Sequence, residues 1–140
     1  MLATDFSATK TSGSSLRVLL LGATGTIGLA TAQALIIRGY DVVCFVRTRQ
    51  GADERFGRDL KASALRGATI RYGDPTDASS LMRDGFAHER FDAVISCMAS
   101  RTGSPRDAWR VDHQAHVHAL EAAKSVGVKH FVLLLSLIHI

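Results

Sequence analysis

The chain has 140 residues, 46% of them hydrophobic and 21% charged, a composition ordinary for a soluble globular domain. That length allows one domain with a real core and excludes a cofactor domain joined to a full-sized substrate domain. Its 17 basic and 13 acidic residues leave a net charge of +4, which suits a small anionic ligand as well as a polyanion.

Residues 1–15 are rich in Ser, Thr and Gly without periodicity and predict a mobile tail. Asp5 interrupts the apolar stretch a signal peptide would need. Residues 17–21 (RVLLL) form a short apolar run closed by Gly22, the pattern of a strand buried on both faces. Residues 26–38 place Ile27, Ala30, Ala34, Leu35 and Ile37 at helical spacing, with Gly39 as the stop. Residues 41–46 (DVVCFV) predict a second buried strand, and a basic loop then leads to a helix over 53–65. A third strand follows over 68–72, a short helix over 77–86, a fourth strand over 91–97, a long helix over 105–126 stopped by Gly127, and a fifth strand from His130.

Strands alternating with helices predict βαβ units and a parallel sheet. Right-handed crossovers give an α/β, Rossmann-type three-layer α/β/α fold with strand order 3-2-1-4-5. The expected organisation is a tail over 1–15, a truncated dinucleotide-binding domain over 16–134, and a final segment, 135–140 (LSLIHI). That segment matches the translation of an adapter used in DNA library preparation and is set aside as non-native. No apolar run approaches the roughly 20 residues of a membrane span. Cys44 and Cys97 lie within apolar runs and read as reduced core residues of an intracellular protein.

The chief chemical signal is Gly22-Ala23-Thr24-Gly25-Thr26-Ile27-Gly28, which leaves a predicted strand and opens a predicted helix. Gly22 would make the turn out of the strand, Gly25 would admit a pyrophosphate, and Gly28 would let the helix pack on the sheet. The helix N-terminus then faces the phosphates. Where an NAD site places Asp or Glu, this chain has Arg47, with Arg49 two residues on. A guanidinium fork suits a 2′-phosphate, so NADPH is the expected cofactor; the alternative is two solvated loop charges. Asp74 could accept from the adenine amino group or cap the helix after Pro75. The backbone from Ser96 to Ala99 would border the nicotinamide ribose.

Six histidines raise the question of a metal. His113 and His116 share a helical face, but His118 points away and no Cys or carboxylate completes a tetrahedral set, so no metal is expected. No basic stripe with interleaved aromatics predicts a nucleic-acid partner.

Residues 19–28 (LLLGATGTIG) resemble the extended and atypical short-chain dehydrogenase/reductase superfamily. More specific are residues 96–109 (SCMASRTGSPRDAW), followed by VDHQA over 111–115 and AKSVGVKHFVLL over 123–134. These resemble the divinyl chlorophyllide a 8-vinyl reductases. The resemblance covers residues 16–134 and implies a Rossmann reductase that uses NADPH to convert a vinyl side chain of a tetrapyrrole to ethyl. The implied location is the cytoplasm of a photosynthetic bacterium, or the plastid stroma in a eukaryote. Ser100, Arg101 and Thr102 would lie at the substrate edge, with Arg101 facing a propionate, or form a structural loop over the cofactor. Asp112 stands where the wider superfamily usually has Asn, a departure that leaves tetrad-style proton transfer open. The catalytic lysine or tyrosine segment and the substrate lobe would lie beyond Leu134, so the chain alone is expected not to turn over substrate. The rival expectations are a regulator-type dinucleotide sensor and another reductase or epimerase of the superfamily.

Overall fold

The computed structural model describes residues 15–47, 65–99 and 104–134. The expected tail, most of the helix expected over 53–65, Arg49, Ser100, Arg101, Thr102 and segment 135–140 lie outside the described residues. The elements are β1 (Arg17–Leu21), α1 (Thr26–Ile37), β2 (Asp41–Arg47) and β3 (Thr69–Gly73). Then come α2 over residues 78–86, β4 (Ala93–Ser96), α3 over residues 105–125, and β5 (His130–Leu133). The five strands form one parallel sheet in the order β3-β2-β1-β4-β5, the expected topology.

Alternation within the strands distributes the core between two faces. Leu19, Leu21, Val43, Phe45 and Val94 pack against α2 and α3, whereas Leu20, Val42, Cys44 and Val46 pack against α1. Leu19, Leu20 and Leu21 are fully buried, each contributing about 1.5–3 kcal/mol by leaving water. Helix α3 meets the sheet through Val111, Ala115, Ala119, Ala122 and Ala123, and these small side chains allow close approach. Helices α1 and α3 both end in the paired bonds of a Schellman motif: Gly39 N–H to the Ile36 carbonyl with Tyr40 N–H to Leu35, and Gly127 N–H to Lys124 with Val128 N–H to Ala123.

Strand β4 and two of the helices depart from expectation, and other boundaries shift by a residue. Strand β4 is shorter than 91–97, because Phe91 is not paired in the sheet. Its ring stacks edge-on against Phe86 at 5.8 Å and lies under the Arg17 guanidinium at 4.7 Å. Helices α2 and α3 also contain π-helical stretches, Leu81–Phe86 and Ala108–Ala115, which hydrophobic spacing did not predict.

At the amino end of the sheet, Arg17 pairs with Asp41 at 3.3 Å and with Glu89 at 2.7 Å, and Arg71 joins Glu89 at 2.6 Å. Arg71 also donates to the Gly85 carbonyl at 2.8 Å, tying β3 to the end of α2. This network secures the end of the sheet opposite the glycine loop.

Candidate functional site

Parallel pairing brings the ends of β1, β2, β3 and β4 to one edge of the sheet, with Leu21 opposite both Phe45 and Ser96, and Arg47 opposite Gly73. Strand order reverses between β1 and β4, the position where open α/β sheets form a crevice. The loop from Gly22 to Gly28 opens onto that crevice.

Its three glycines serve different ends. Gly22 has φ +77°, and a Cβ there would lie 2.7 Å from the backbone of Cys97 and Met98. A Cβ on Gly28 would lie 1.8 Å from the Gly22 carbonyl oxygen, so α1 rests directly on the turn. Gly25 is different: a Cβ there would meet only the Gly22 oxygen, at an ordinary 3.7 Å. The protein itself therefore leaves room at the middle glycine. Gly25 is also the N-cap of α1, and neither a capping side chain nor an acidic residue occupies the first turn. The helix presents its amides and positive dipole end uncompensated, an arrangement suited to an anion. Thr26 and Ile27 are exposed there, and Thr24 is half-buried.

A cleft of about 550 Å³ opens at the ends of β2 and β3, with Arg47, Tyr72, Asp74, Arg83, Asp84 and Arg110 in its lining. Its cations differ in engagement. Arg83 is held by both oxygens of Asp84, at 3.0 and 2.9 Å, and Arg110 reaches Asp107 at 3.3 Å. Arg47 is exposed and makes no ion pair among the described residues. Partial burial alone would raise the Asp74 carboxyl. The two Thr76 hydrogen bonds, at 2.9 Å from the amide and 2.6 Å from the hydroxyl, together with Arg47 and Arg110, hold it below its ordinary value. Asp74 does not cap α2. Asp77 does, accepting from Ser79 N–H at 3.0 Å, while Asp74 Oδ1 closes the turn with Thr76 two residues on. The capping alternative for Asp74 is thereby corrected: the cap is Asp77, three residues further on, and the Asp74 carboxylate reaches only as far as Thr76.

Ser96 is fully buried at the end of β4, and its side chain turns away from the crevice into a hydrogen bond with His116. Ala99 is exposed at the crevice side of the chain. The clustered histidines separate: His113 stacks on Trp109 at 4.4 Å, and His116 faces the core. Among the described residues, no three His, Cys, Asp or Glu side chains are grouped to hold a metal. No helix among them is long and apolar enough to cross a membrane.

Sequence reasoning missed Tyr72 and Arg110. Tyr72 sits 59% exposed on an edge strand, and the available signal was an aromatic at the very end of a predicted strand. Arg110 reaches the cleft from a helix remote in sequence, and nothing in its local pattern marks it.

The chain is 44% identical over 117 residues to the chloroplastic divinyl chlorophyllide a 8-vinyl-reductase of Oryza sativa subsp. indica. The match covers 84% of this chain but 29% of that protein. It is also 31% identical over 117 residues to the photosystem II assembly factor Ycf39 of Guillardia theta, covering 82% of this chain and 33% of that one. The chain thus spans about a third or less of the length of these relatives. Among solved structures, the Bordetella bronchiseptica enzyme WbmG in complex with NAD superposes with a TM-score of 0.67 at 21% identity, over 89% of this chain and 38% of that one. That likeness supports the fold. The family model for NAD dependent epimerases and dehydratases matches residues 18–137. By that match, which takes in the glycine loop and all of the sheet but Arg17, the chain belongs to the NAD dependent epimerase/dehydratase family.

Proposed function

We propose that this chain is the dinucleotide-binding part of an NADPH-dependent reductase that converts the 8-vinyl group of a divinyl chlorophyllide to ethyl. The observation that carries the reading is the 44% identity to the rice enzyme over 117 residues. The site fits a dinucleotide: the space at Gly25 is clear and α1 begins without a competing cap or carboxylate. In this reading Gly22 and Gly28 shape the loop, and the loop amide of Thr24 with the first-turn amides of Thr26 and Ile27 receives the pyrophosphate. Arg47, exposed at the cleft and in no ion pair among the described residues, takes the 2′-phosphate, with Arg49 beside it in sequence. Asp74 keeps Oδ2 for the adenine amino group, because Oδ1 already holds both Thr76 donors. The Ser96–Ala99 backbone borders the nicotinamide ribose, and Ser100, Arg101 and Thr102 line the substrate edge.

When bound, the nicotinamide supplies the hydride, and the charge that develops is spread over the conjugated macrocycle. The residues here therefore need mainly to position the two partners. The proposed location is a plastid stroma or a bacterial cytoplasm.

Two measurements test this. NADPH and NADH titrations of the chain should show a preference for NADPH that Arg47→Ala removes, a loss on the order of ten- to hundredfold for NADPH with NADH unchanged. An unchanged ratio would refute the Arg47 assignment. The complete gene product, given divinyl chlorophyllide and NADPH, should add two hydrogens to the 8-vinyl group; no loss of that group would refute the reaction. The likeness to the photosystem II assembly factor Ycf39 favours one rival, in which the dinucleotide-binding part serves an assembly factor or sensor. Dinucleotide binding without vinyl reduction by the complete product would favour it.

A further inference from the structure

The buried pair Ser96 and His116 has no place in the reading above. His116 Nε2 lies 2.6 Å from Ser96 Oγ, and His116 Nδ1 lies 3.0 Å from the Asp112 carbonyl oxygen. A carbonyl can only accept, so Nδ1 carries the hydrogen and Nε2 accepts from the Ser96 hydroxyl. The same Ser96 oxygen accepts from Met98 N–H at 3.3 Å. The chain of donors is therefore closed: Met98 N–H to Ser96, Ser96 hydroxyl to His116, His116 to the backbone of α3.

What this chain of bonds holds is the exit of β4. On one side Gly22 abuts Cys97 and Met98, so that the exit cannot move toward the glycine loop. Cys97 N–H is fixed to the Leu21 carbonyl at 2.9 Å, and Leu134 N–H to the Ser96 carbonyl at 3.0 Å. On the other side, the Ser96–His116 bond ties the exit to α3, while the Cys97–Leu21 bond keeps it from withdrawing there. We infer that His116 is a positioning residue, acting through Ser96 to set the Met98–Ala99 backbone at the height needed by the nicotinamide end of the dinucleotide. The inference rests on the dinucleotide reading, and it predicts a division within one ligand. The adenosine half is held by Arg47 and α1, elements His116 does not touch.

The test titrates the chain with NADPH and with 2′,5′-ADP, which carries the adenosine phosphates but no nicotinamide. His116→Ala should weaken NADPH about tenfold and leave 2′,5′-ADP within about twofold. His116→Gln, whose amide can accept from Ser96 and donate to the Asp112 carbonyl, should recover most of the NADPH loss. If His116→Ala does not fold, Ser96→Ala should show the same division between the two ligands. Equal weakening of both ligands, or no weakening of NADPH, would overturn the role of His116. Failure of the unaltered chain to bind either ligand would instead overturn the dinucleotide reading, and this inference with it.

Discussion

Gly28→Ala sets two effects of opposite sign against each other. Alanine is the better helix former by up to about 1 kcal/mol, and Gly28 lies in the first turn of α1. Propensity alone would stabilise the variant. The new methyl, however, would lie 1.8 Å from the Gly22 carbonyl oxygen and 2.7 Å from its carbon, both backbone atoms with no rotamer to yield. Helix α1 would have to retreat by roughly 1.2 Å to reach even the shortest separation side chains tolerate. That retreat loosens Ala32, Leu29, Leu35 and Ile36 from the sheet. Forced overpacking of this kind costs about 1–3 kcal/mol. The clash wins, and the net loss of about 1–2 kcal/mol should lower Tm by about 3–7 °C in thermal unfolding followed by circular dichroism. Gly25→Ala is the control. Its φ of −78° and ψ of 169° suit alanine and its Cβ meets nothing closer than 3.7 Å. Stability should fall by less than about 1 kcal/mol, the cost of the poorer N-cap, while NADPH affinity falls sharply. A Gly28→Ala variant as stable as the parent would refute the packing argument. Unchanged NADPH affinity in Gly25→Ala would refute the assignment of the open space to a pyrophosphate.

Two further outcomes follow from the electrostatics. The folded state lowers the Asp74 pKa, so its stabilising contribution is complete above the ordinary aspartate range and fades as pH falls through and below that range. Asp74→Asn should flatten the acid limb of a Tm-against-pH curve, and an unaltered limb would show that the Thr76 turn carries no such linkage. Burial pushes the Cys44 thiol up to about 11, whereas Cys97 is half-buried. A thiol reagent near neutral pH should therefore modify Cys97 first and Cys44 only on unfolding. Equal labelling rates in the folded chain would contradict the burial of β2.

The central strands were legible because β1 and β2 are buried on both faces, so that nearly every residue in RVLLL and DVVCFV had to be apolar. The edges were less so. In β3 only part of TIRYG is covered, and Tyr72 faces the cleft, which shifted the expected boundary by one residue. Phe91 looked like strand because it is apolar and buried, yet its burial comes from Phe86 and Arg17. The glycine loop was legible as a motif, but the separate duties of its three glycines depend on which backbone lies opposite each. Ser96 was read for its backbone alone. Its partner His116 is twenty residues away on another element, and only the packing of α3 on the sheet brings them to 2.6 Å. Arg110 likewise joins Arg47 through tertiary structure, not local pattern.

The contacts of Gly22 and Gly28 bear on how such a loop changes through descent. Replacing Gly22 would require the β4 exit to be rerouted in the same step, and replacing Gly28 would require α1 to be reseated. Neither demand comes from a ligand. A descendant that had lost all affinity for dinucleotides would remain under selection for both residues, simply to fold. Gly25 is under no such obligation, since the chain tolerates a side chain there. Drift would therefore erase the middle glycine first. Among relatives that differ in whether they still carry a cofactor, its replacement by a larger residue would mark the lineages that have abandoned it, while the outer two glycines would persist in both groups.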